Sequence, residues 1–363
     1  MSILDSDETF EDILGRSYDA EFSEEDKVYI SAVLNRLRRI LHWDPEDEES
    51  LFNKNRGPQI MIEIMSYFTR WKSLVCQGSN LTDILGLQHL ITYSLAKLCF
   101  LYWIEDSNIV AEVLRQVYSC DGHFSFMFLH IVNRCERRPP WRTSAEDSRQ
   151  KEHLAMLYFL YHAHKAKCEY HGTRFVNLRL RTPLRVPPVF LAAIYNKPRL
   201  LLLLLRYGAN LYTREDGISD DWDLFMLLRH LTRVLWTSLG YDFQNHETDS
   251  TMISFPMHNV ILCLRVLLRS IRQIKMSELD FPLMNFDQGS LTGSTSSRNF
   301  VNWISEEGLV SKLVSRYLDP AELKHLCRFE IRRVLNRNWK LPYGIVALPI
   351  PKLLQDYINL SDD

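Results

Sequence analysis

Apolar residues recur at helical intervals along most of the chain, and they predict a protein built from α-helices. Helices are predicted at 24–42, 58–76, 81–103, 108–119, 121–134, about 144–167 and 256–274. Alternation of apolar and polar residues, which is typical of a half-buried strand, is scarce. The predicted fold class is therefore all-α.

The segment from Pro188 to Asn210 has the pattern of two short helices joined by a tight turn. Ala192 and Ala193 are small enough to let a neighbouring helix approach closely. Pro198 suits the first turn of the second helix, where a missing N–H costs nothing. Gly208 can adopt the left-handed conformation that ends a helix. These residues resemble an ankyrin repeat.

The hairpin departs from the ankyrin pattern at its turn, where Asn196 takes the place of a glycine. An ordinary α-hairpin with a leucine-rich second helix is the alternative interpretation. A single ankyrin hairpin cannot bury both of its faces alone, because repeats are stabilised by their neighbours. The resemblance therefore implies a stack in which the flanking helices act as diverged repeats or caps.

A second informative segment, 319–360, begins with signals for the start of a helix. Asp319 is a suitable N-cap, Pro320 fits the first helical position, and Glu322 stands where it could reach back to the cap. The helix is predicted to end near Asn336.

Along that helix, Leu323, Cys327 and Ile331 recur at intervals of four residues, with Leu326 beside them. An apolar anchor repeated on one face suits a helix that lies in a groove of a partner. This pattern resembles the elongin C-binding box of the SOCS box. An amphipathic helix whose cysteine is a small buried side chain is the structural alternative.

The four residues Leu348, Pro349, Ile350 and Pro351 follow after a short connection. Two prolines around Ile350 hold an extended segment rigid, so that little entropy is lost on docking. The element resembles the cullin-5 box, which is the second half of a SOCS box. This resemblance implies that a small three-helix SOCS box ends the helical stack.

An ankyrin repeat followed by a SOCS box resembles the ankyrin repeat and SOCS box protein family. The resemblance implies a non-enzymatic receptor that recruits elongin B, elongin C and cullin-5 with its RING protein, and that directs ubiquitination of an unknown protein target. Arg185, Tyr212 and Arg214 at the hairpin tips are the candidate target-binding residues. A scaffold that binds a partner without directing ubiquitin transfer is the alternative function.

The predicted organisation has six parts. They are an acidic mobile N-terminus (1–23), a helical region (24–180), the ankyrin repeat (184–214), a second helical region (215–286), a flexible linker (287–298) and the SOCS box (299–363). The linker is predicted because its glycine, serine and threonine content does not favour packing.

Charge and cysteine content bear on which partners and which compartment the sequence favours. With 43 basic and 45 acidic residues the net charge is −2, which disfavours a nucleic-acid partner. Seven cysteines without a CxxC motif favour a reducing compartment. No apolar run approaches the length of a membrane helix. The expected location is the cytoplasm, with the nucleus as an alternative.

One cluster suggests a metal site. His164, Cys168 and His171 would share one face of a continuous helix, with His162 nearby, which is a possible zinc geometry. The preferred interpretation is a helix end, where positively charged histidines are favourable. We therefore expect no metal and no cofactor.

A second cluster suggests a basic surface on the predicted C-terminal helix. Its members are Arg328, Arg332, Arg333, Arg337 and Lys340. They are predicted to form the solvated face of that helix rather than a nucleic-acid site. His325 and Cys327 are two positions apart and point in different directions, so no catalytic pair is expected.

Overall fold

The computed structural model describes residues 103–122, 148–180, 185–211, 257–272 and 322–361, with isolated helical positions elsewhere. The chain divides into two compact units between Phe175 and Val176. Most described elements are helices, which confirms the predicted all-α class. None of the described helices is both long enough and apolar enough to cross a membrane. The predicted acidic N-terminus and the predicted linker lie outside the described residues.

The first unit contains two helices that pack together, α1 (Ser107–Asp121) and α2 (Ser148–Lys165). A two-stranded antiparallel hairpin follows, with β1 at Glu169–Tyr170 and β2 at Thr173–Arg174. A 3₁₀ helix spans Phe175–Asn177.

Local signals set both ends of α1. The Asp106 carboxylate accepts hydrogen bonds from the N–H groups of Asn108 and Ile109, at 2.8 and 3.4 Å. Gly122 then ends the helix in the left-handed conformation, with φ of 63°. The helix predicted at 108–119 is thereby confirmed.

The second unit contains five α-helices and one 3₁₀ helix among its described elements. They are α3 (Pro188–Ile194), α4 (Pro198–Arg206), α5 (Met257–Ser270), α6 (Leu323–Arg337), a 3₁₀ helix (Tyr343–Ile345) and α7 (Lys352–Ile358). Helix α4 packs against α3 and α5, while α6 packs against α7.

The helical hairpin formed by α3 and α4 confirms the predicted ankyrin-like layout. Ala192 and Ala193 are fully buried, as close helix packing requires. Pro198 is the first residue of α4. Asn196 adopts a φ of 53° at the turn and so replaces the usual glycine in the left-handed conformation.

The start of α6 differs from the prediction. The helix begins at Leu323, so Glu322 is the N-cap residue rather than the third helical residue. Its side chain makes no capping hydrogen bond, and the predicted capping box is wrong on this point. Asp319 and Pro320 lie outside the described residues.

Two features of the structure favour glycine at position 208. Its φ of 85° lies in the left-handed region. In addition, a Cβ at this position would collide with the side chain of Asn336 on α6. Helix α6 therefore approaches the end of α4 closely at this point.

We predict that Gly208→Ala lowers the free energy of unfolding by about 2–3 kcal/mol, because backbone strain and the displacement of Asn336 act together. Gly172→Ala is the matched control, since Gly172 has a φ of 78° but has no atom within 4 Å of the added Cβ. That control measures strain alone, at about 1 kcal/mol. Urea denaturation of both variants gives the comparison. Equal losses would contradict the close approach of α6.

Candidate functional site

Helix α6 has one side in the protein interior and one side in solvent. His325, Arg328 and Leu335 are buried on its inner side. Leu323 is 77% exposed and Val334 is 51% exposed on the outside. Two large apolar side chains are therefore in solvent while charged and polar ones are buried, which is the reverse of the usual distribution.

The four residues predicted to bind elongin C do not share one environment. Leu323 and Cys327, one helical turn apart, are both exposed. Leu326 is half-buried. Ile331 is also half-buried and packs against an apolar core cluster, whose buried members are Leu335, Leu341, Ile345 and Ile358. Leu323 and Cys327 are therefore the two members most available to a partner.

The proline-containing element at 348–351 also divides between interior and surface. Leu348 and Ile350 pack against the same core cluster. Pro349 and Pro351 are exposed. The predicted extended conformation is wrong, because residues 348–350 form bends and the N–H of Ile350 donates to the carbonyl of Leu348 at 2.8 Å. The two prolines, rather than the leucine and isoleucine, are available for contact.

Gln355 of α7 holds this bent segment in place. Its Nε2 atom lies 3.3, 3.2 and 3.2 Å from the carbonyl oxygens of Val346, Leu348 and Ile350. This role of Gln355 could not be predicted from the sequence, because a glutamine in a helix gives no indication that it bonds to the carbonyls of a preceding loop. The exposed apolar side chains of Val346, Leu353 and Leu354 flank the segment in the sequence.

The predicted solvated basic face is wrong for two of its members. Arg328 is only 1% exposed, and its guanidinium carbon lies 4.1 Å from the centroid of the Tyr357 ring. Arg332 is half-buried and reaches two other parts of the second unit. Arg333, Arg337 and Lys340 are exposed, as predicted.

Arg332 joins α6 to the ankyrin-like hairpin and to the end of α7. Its Nη2 atom donates to the carbonyl of Leu205, and its Nη1 atom donates to the carbonyl of Ile358 at 3.0 Å. Burial of the guanidinium, followed by the charges of Arg328 and Arg206, lowers the pKa of Arg332 to about 9. Asn336, one turn further along, donates to the carbonyl of Gly208 at 3.1 Å.

His325 connects α6 to the end of α5. Its Nε2 atom lies 2.6 Å from the carbonyl oxygen of Ile271, and its Nδ1 atom lies 3.0 Å from Nη2 of Arg328. Because a guanidinium can only donate, Nδ1 accepts and Nε2 carries the proton. His325 is fully buried whereas Cys327 is exposed, so the two side chains point in different directions, as predicted.

The histidine cluster of the first unit does not have the predicted helical geometry. Helix α2 ends at Lys165, and His171 lies in the turn between β1 and β2. Cys168 is buried, with its sulfur 3.7 Å from the carbonyl oxygen of Ala111. The predicted shared face of His164, Cys168 and His171 is therefore wrong. Among the described residues, no group of three potential ligands is placed to hold a metal ion.

His162 from the same cluster is also engaged in the interior. Its Nδ1 atom lies 2.9 Å from Oγ of Ser107, and burial is the main cause that lowers the pKa of His162 to about 4. Of the candidate target-binding residues, Arg185 is exposed with a φ of 46°. Tyr212 and Arg214 lie outside the described residues.

We predict that Arg332→Met lowers the free energy of unfolding of the second unit by about 2–4 kcal/mol, since it leaves two carbonyls without their charged donor. The adjacent Arg333→Met is the matched control. Arg333 makes only an exposed ion pair with Glu330, at 2.6 Å, so its loss costs about 0.5 kcal/mol or less. Urea denaturation compares the two, and similar values would contradict the anchoring role of Arg332.

Comparison with known proteins agrees with the C-terminal features. Residues 319–359 match the SOCS box family. The chain is 31% identical to ankyrin repeat and SOCS box protein 17 of Bos taurus over 177 residues, which is 48% of this chain and 50% of that protein. The Mus musculus protein of the same name is 36% identical over 176 residues, again 48% of this chain and 50% of the relative.

The chain thus spans about half the length of the curated relatives it matches. No solved structure matches it. The resemblance to ankyrin repeat and SOCS box proteins seen in the sequence is confirmed over the matching part, and the relatives named here are the family member numbered seventeen. The chain therefore carries a SOCS box at 319–359 and is similar, over about half its length, to ankyrin repeat and SOCS box proteins.

Proposed function

We propose that the chain is the non-catalytic substrate receptor of a cullin-RING ubiquitin ligase. In this proposal the SOCS box recruits elongin B, elongin C and cullin-5 with its RING protein. The helical and ankyrin-like part holds a protein target. The observation that carries the proposal is the 77% exposure of Leu323 on a helix whose other side is buried.

The exposed leucine supports a helix-in-groove contact. Burying a leucine side chain fully is worth about 1.5–3 kcal/mol, a gain that the chain by itself leaves unused at this position. Cys327 lies one turn further along the same exposed side and is small enough for close approach. A groove on elongin C that accepts both side chains would bury them together.

The prolines support a separate second contact. Pro349 and Pro351 are exposed, while the backbone between them is held from inside by Gln355. A segment that is already ordered loses little entropy on binding. We therefore assign the prolines to cullin-5 and the leucine to elongin C.

The role proposed for this chain is positioning. Holding a target beside the RING-bound ubiquitin-conjugating enzyme converts a bimolecular encounter into a local one. The chain itself then needs no nucleophile and no cofactor. The proposed location is the cytoplasm, with the nucleus as the alternative.

We predict that Leu323→Ala weakens elongin C capture by about thirtyfold or more, because loss of a central anchor costs about 2 kcal/mol or more. Combining it with Cys327→Phe should abolish capture. Leu353→Ala is the matched control, because Leu353 is equally exposed at 77% but lies on α7. Affinity is measured by titration with purified elongin B–elongin C.

The control variant should bind elongin as the unchanged chain does, and all variants should retain their unfolding temperature. Undiminished elongin binding by the double variant would overturn the ligase proposal. A scaffold that binds a protein partner without directing ubiquitin transfer would then be the better description.

We predict that Pro349→Ala with Pro351→Ala weakens cullin-5 recruitment while elongin binding is unchanged, since only the segment at 348–351 gains freedom. The measurement is pull-down of cullin-5 by the preformed complex with elongin B and elongin C. Equal loss of both partners would show that the two contacts are not separate.

A further inference from the structure

Three arginines from three helices converge on residues 358–361, at the end of α7. We call Arg206 of α4, Arg269 of α5 and Arg332 of α6 the arginine cluster. Arg206 donates from Nε to the carbonyl of Asn359 at 2.9 Å and from Nη2 to the hydroxyl oxygen of Ser361 at 3.0 Å.

Arg269 approaches the same segment from α5. Its Nη1 atom lies 3.5 Å from the carbonyl oxygen of Leu360 and 3.4 Å from that of Ser361. Arg332 completes the cluster through its bond to the carbonyl of Ile358. Ser361 is therefore next to two guanidinium groups, one at its hydroxyl and one at its carbonyl.

Among the described residues around 358–361, positive charges outnumber negative ones. Backbone carbonyls supply only partial charges. Burial lowers the pKa of Arg332 most, and the positive charges of Arg328 and Arg206 lower it further. Asp356 is the carboxylate whose charge acts on Arg206. It is shared with Lys352, whose Nζ atom lies 2.8 Å away. An added anion at Ser361 would therefore be attracted.

Phosphorylation of the Ser361 hydroxyl would place such an anion beside Arg206. Ser361 is half-buried, so part of its surface is open to solvent. In the sequence it is followed by Asp362 and Asp363. Acidic residues directly after a serine are a charge pattern that acidophilic serine kinases can recognise.

We propose that Ser361 is a phosphorylation site, and that Arg206 and Arg269 hold its phosphate. An acidophilic kinase transfers the γ-phosphoryl group of ATP to Oγ: the new O–P bond forms as the bond to the β,γ-bridging oxygen breaks. The hydroxyl proton passes to the base of the kinase, and ADP leaves. The phosphate then fastens the end of the SOCS box to α4 and α5. This proposal does not depend on the ligase function.

The first test uses the full chain with phosphoserine incorporated at position 361. Its melting temperature should rise by about 2–4 °C above that of the unmodified chain, because charged oxygens accept from arginine more strongly than a hydroxyl does. Arg206→Gln should remove most of this rise. Arg199→Gln, an exposed arginine on the same helix, should leave it intact.

If Arg206→Gln does not fold, the same comparison is made in the phosphorylated chain at about 1 M NaCl, where the Debye length of about 3 Å weakens the contact. An unchanged or lower melting temperature on phosphorylation would overturn the proposed contact. So would a rise that persists in Arg206→Gln or that salt does not reduce.

The second test asks whether the native chain accepts the modification. Incubation with an acidophilic serine kinase and ATP should add one phosphoryl group to the peptide that contains Ser361, located by mass spectrometry. Ser361→Ala should abolish that product. Absence of phosphate at Ser361 in the folded chain would overturn its assignment as a modification site.

Discussion

Much of the second unit depends on the placement of partly buried guanidinium groups against backbone carbonyls. Arg332 satisfies carbonyls from both the ankyrin-like hairpin and the end of α7, and Arg206 reaches the same end from α4. Buried carbonyls need donors, and a long, forked cation can supply two segments at once. The SOCS box helix α6 is thereby held against the hairpin through polar bonds.

Because arginines occupy the inner side of α6, its leucine at position 323 is left on the outer side. Helix α6 has room for one buried side, and Arg328, Arg332 and Leu335 occupy it. Leu323 and Cys327 lie on the opposite side of the helix and are exposed to solvent. The same division recurs at 348–351, where leucine and isoleucine fill the core and the prolines face outward. The two exposed surfaces that we propose for partner binding therefore result from how one small core is filled.

Features set by interactions between residues close in the sequence could be predicted, whereas those set by long-range contacts could not. The hairpin at 188–210 was predictable because prolines, small residues and a left-handed glycine act within a few positions of themselves. The basic run was misjudged because arginine is usually solvated, and nothing near Arg328 in the sequence indicates Tyr357 as its partner. Gln355 was missed for the same reason. The shared face of His164, Cys168 and His171 required one continuous helix, but α2 ends at Lys165 and a β-hairpin follows.

The sequence by itself determined the helical class, the hairpin and the two motifs of the SOCS box, since each rests on local spacing and turn chemistry. Only the tertiary structure decided which members of those motifs face solvent. That choice depends on contacts between residues more than a hundred positions apart, such as Arg332 with Leu205 and Asn336 with Gly208. A local pattern identifies the residues that can bind a partner, but packing determines which of them remain exposed to do so.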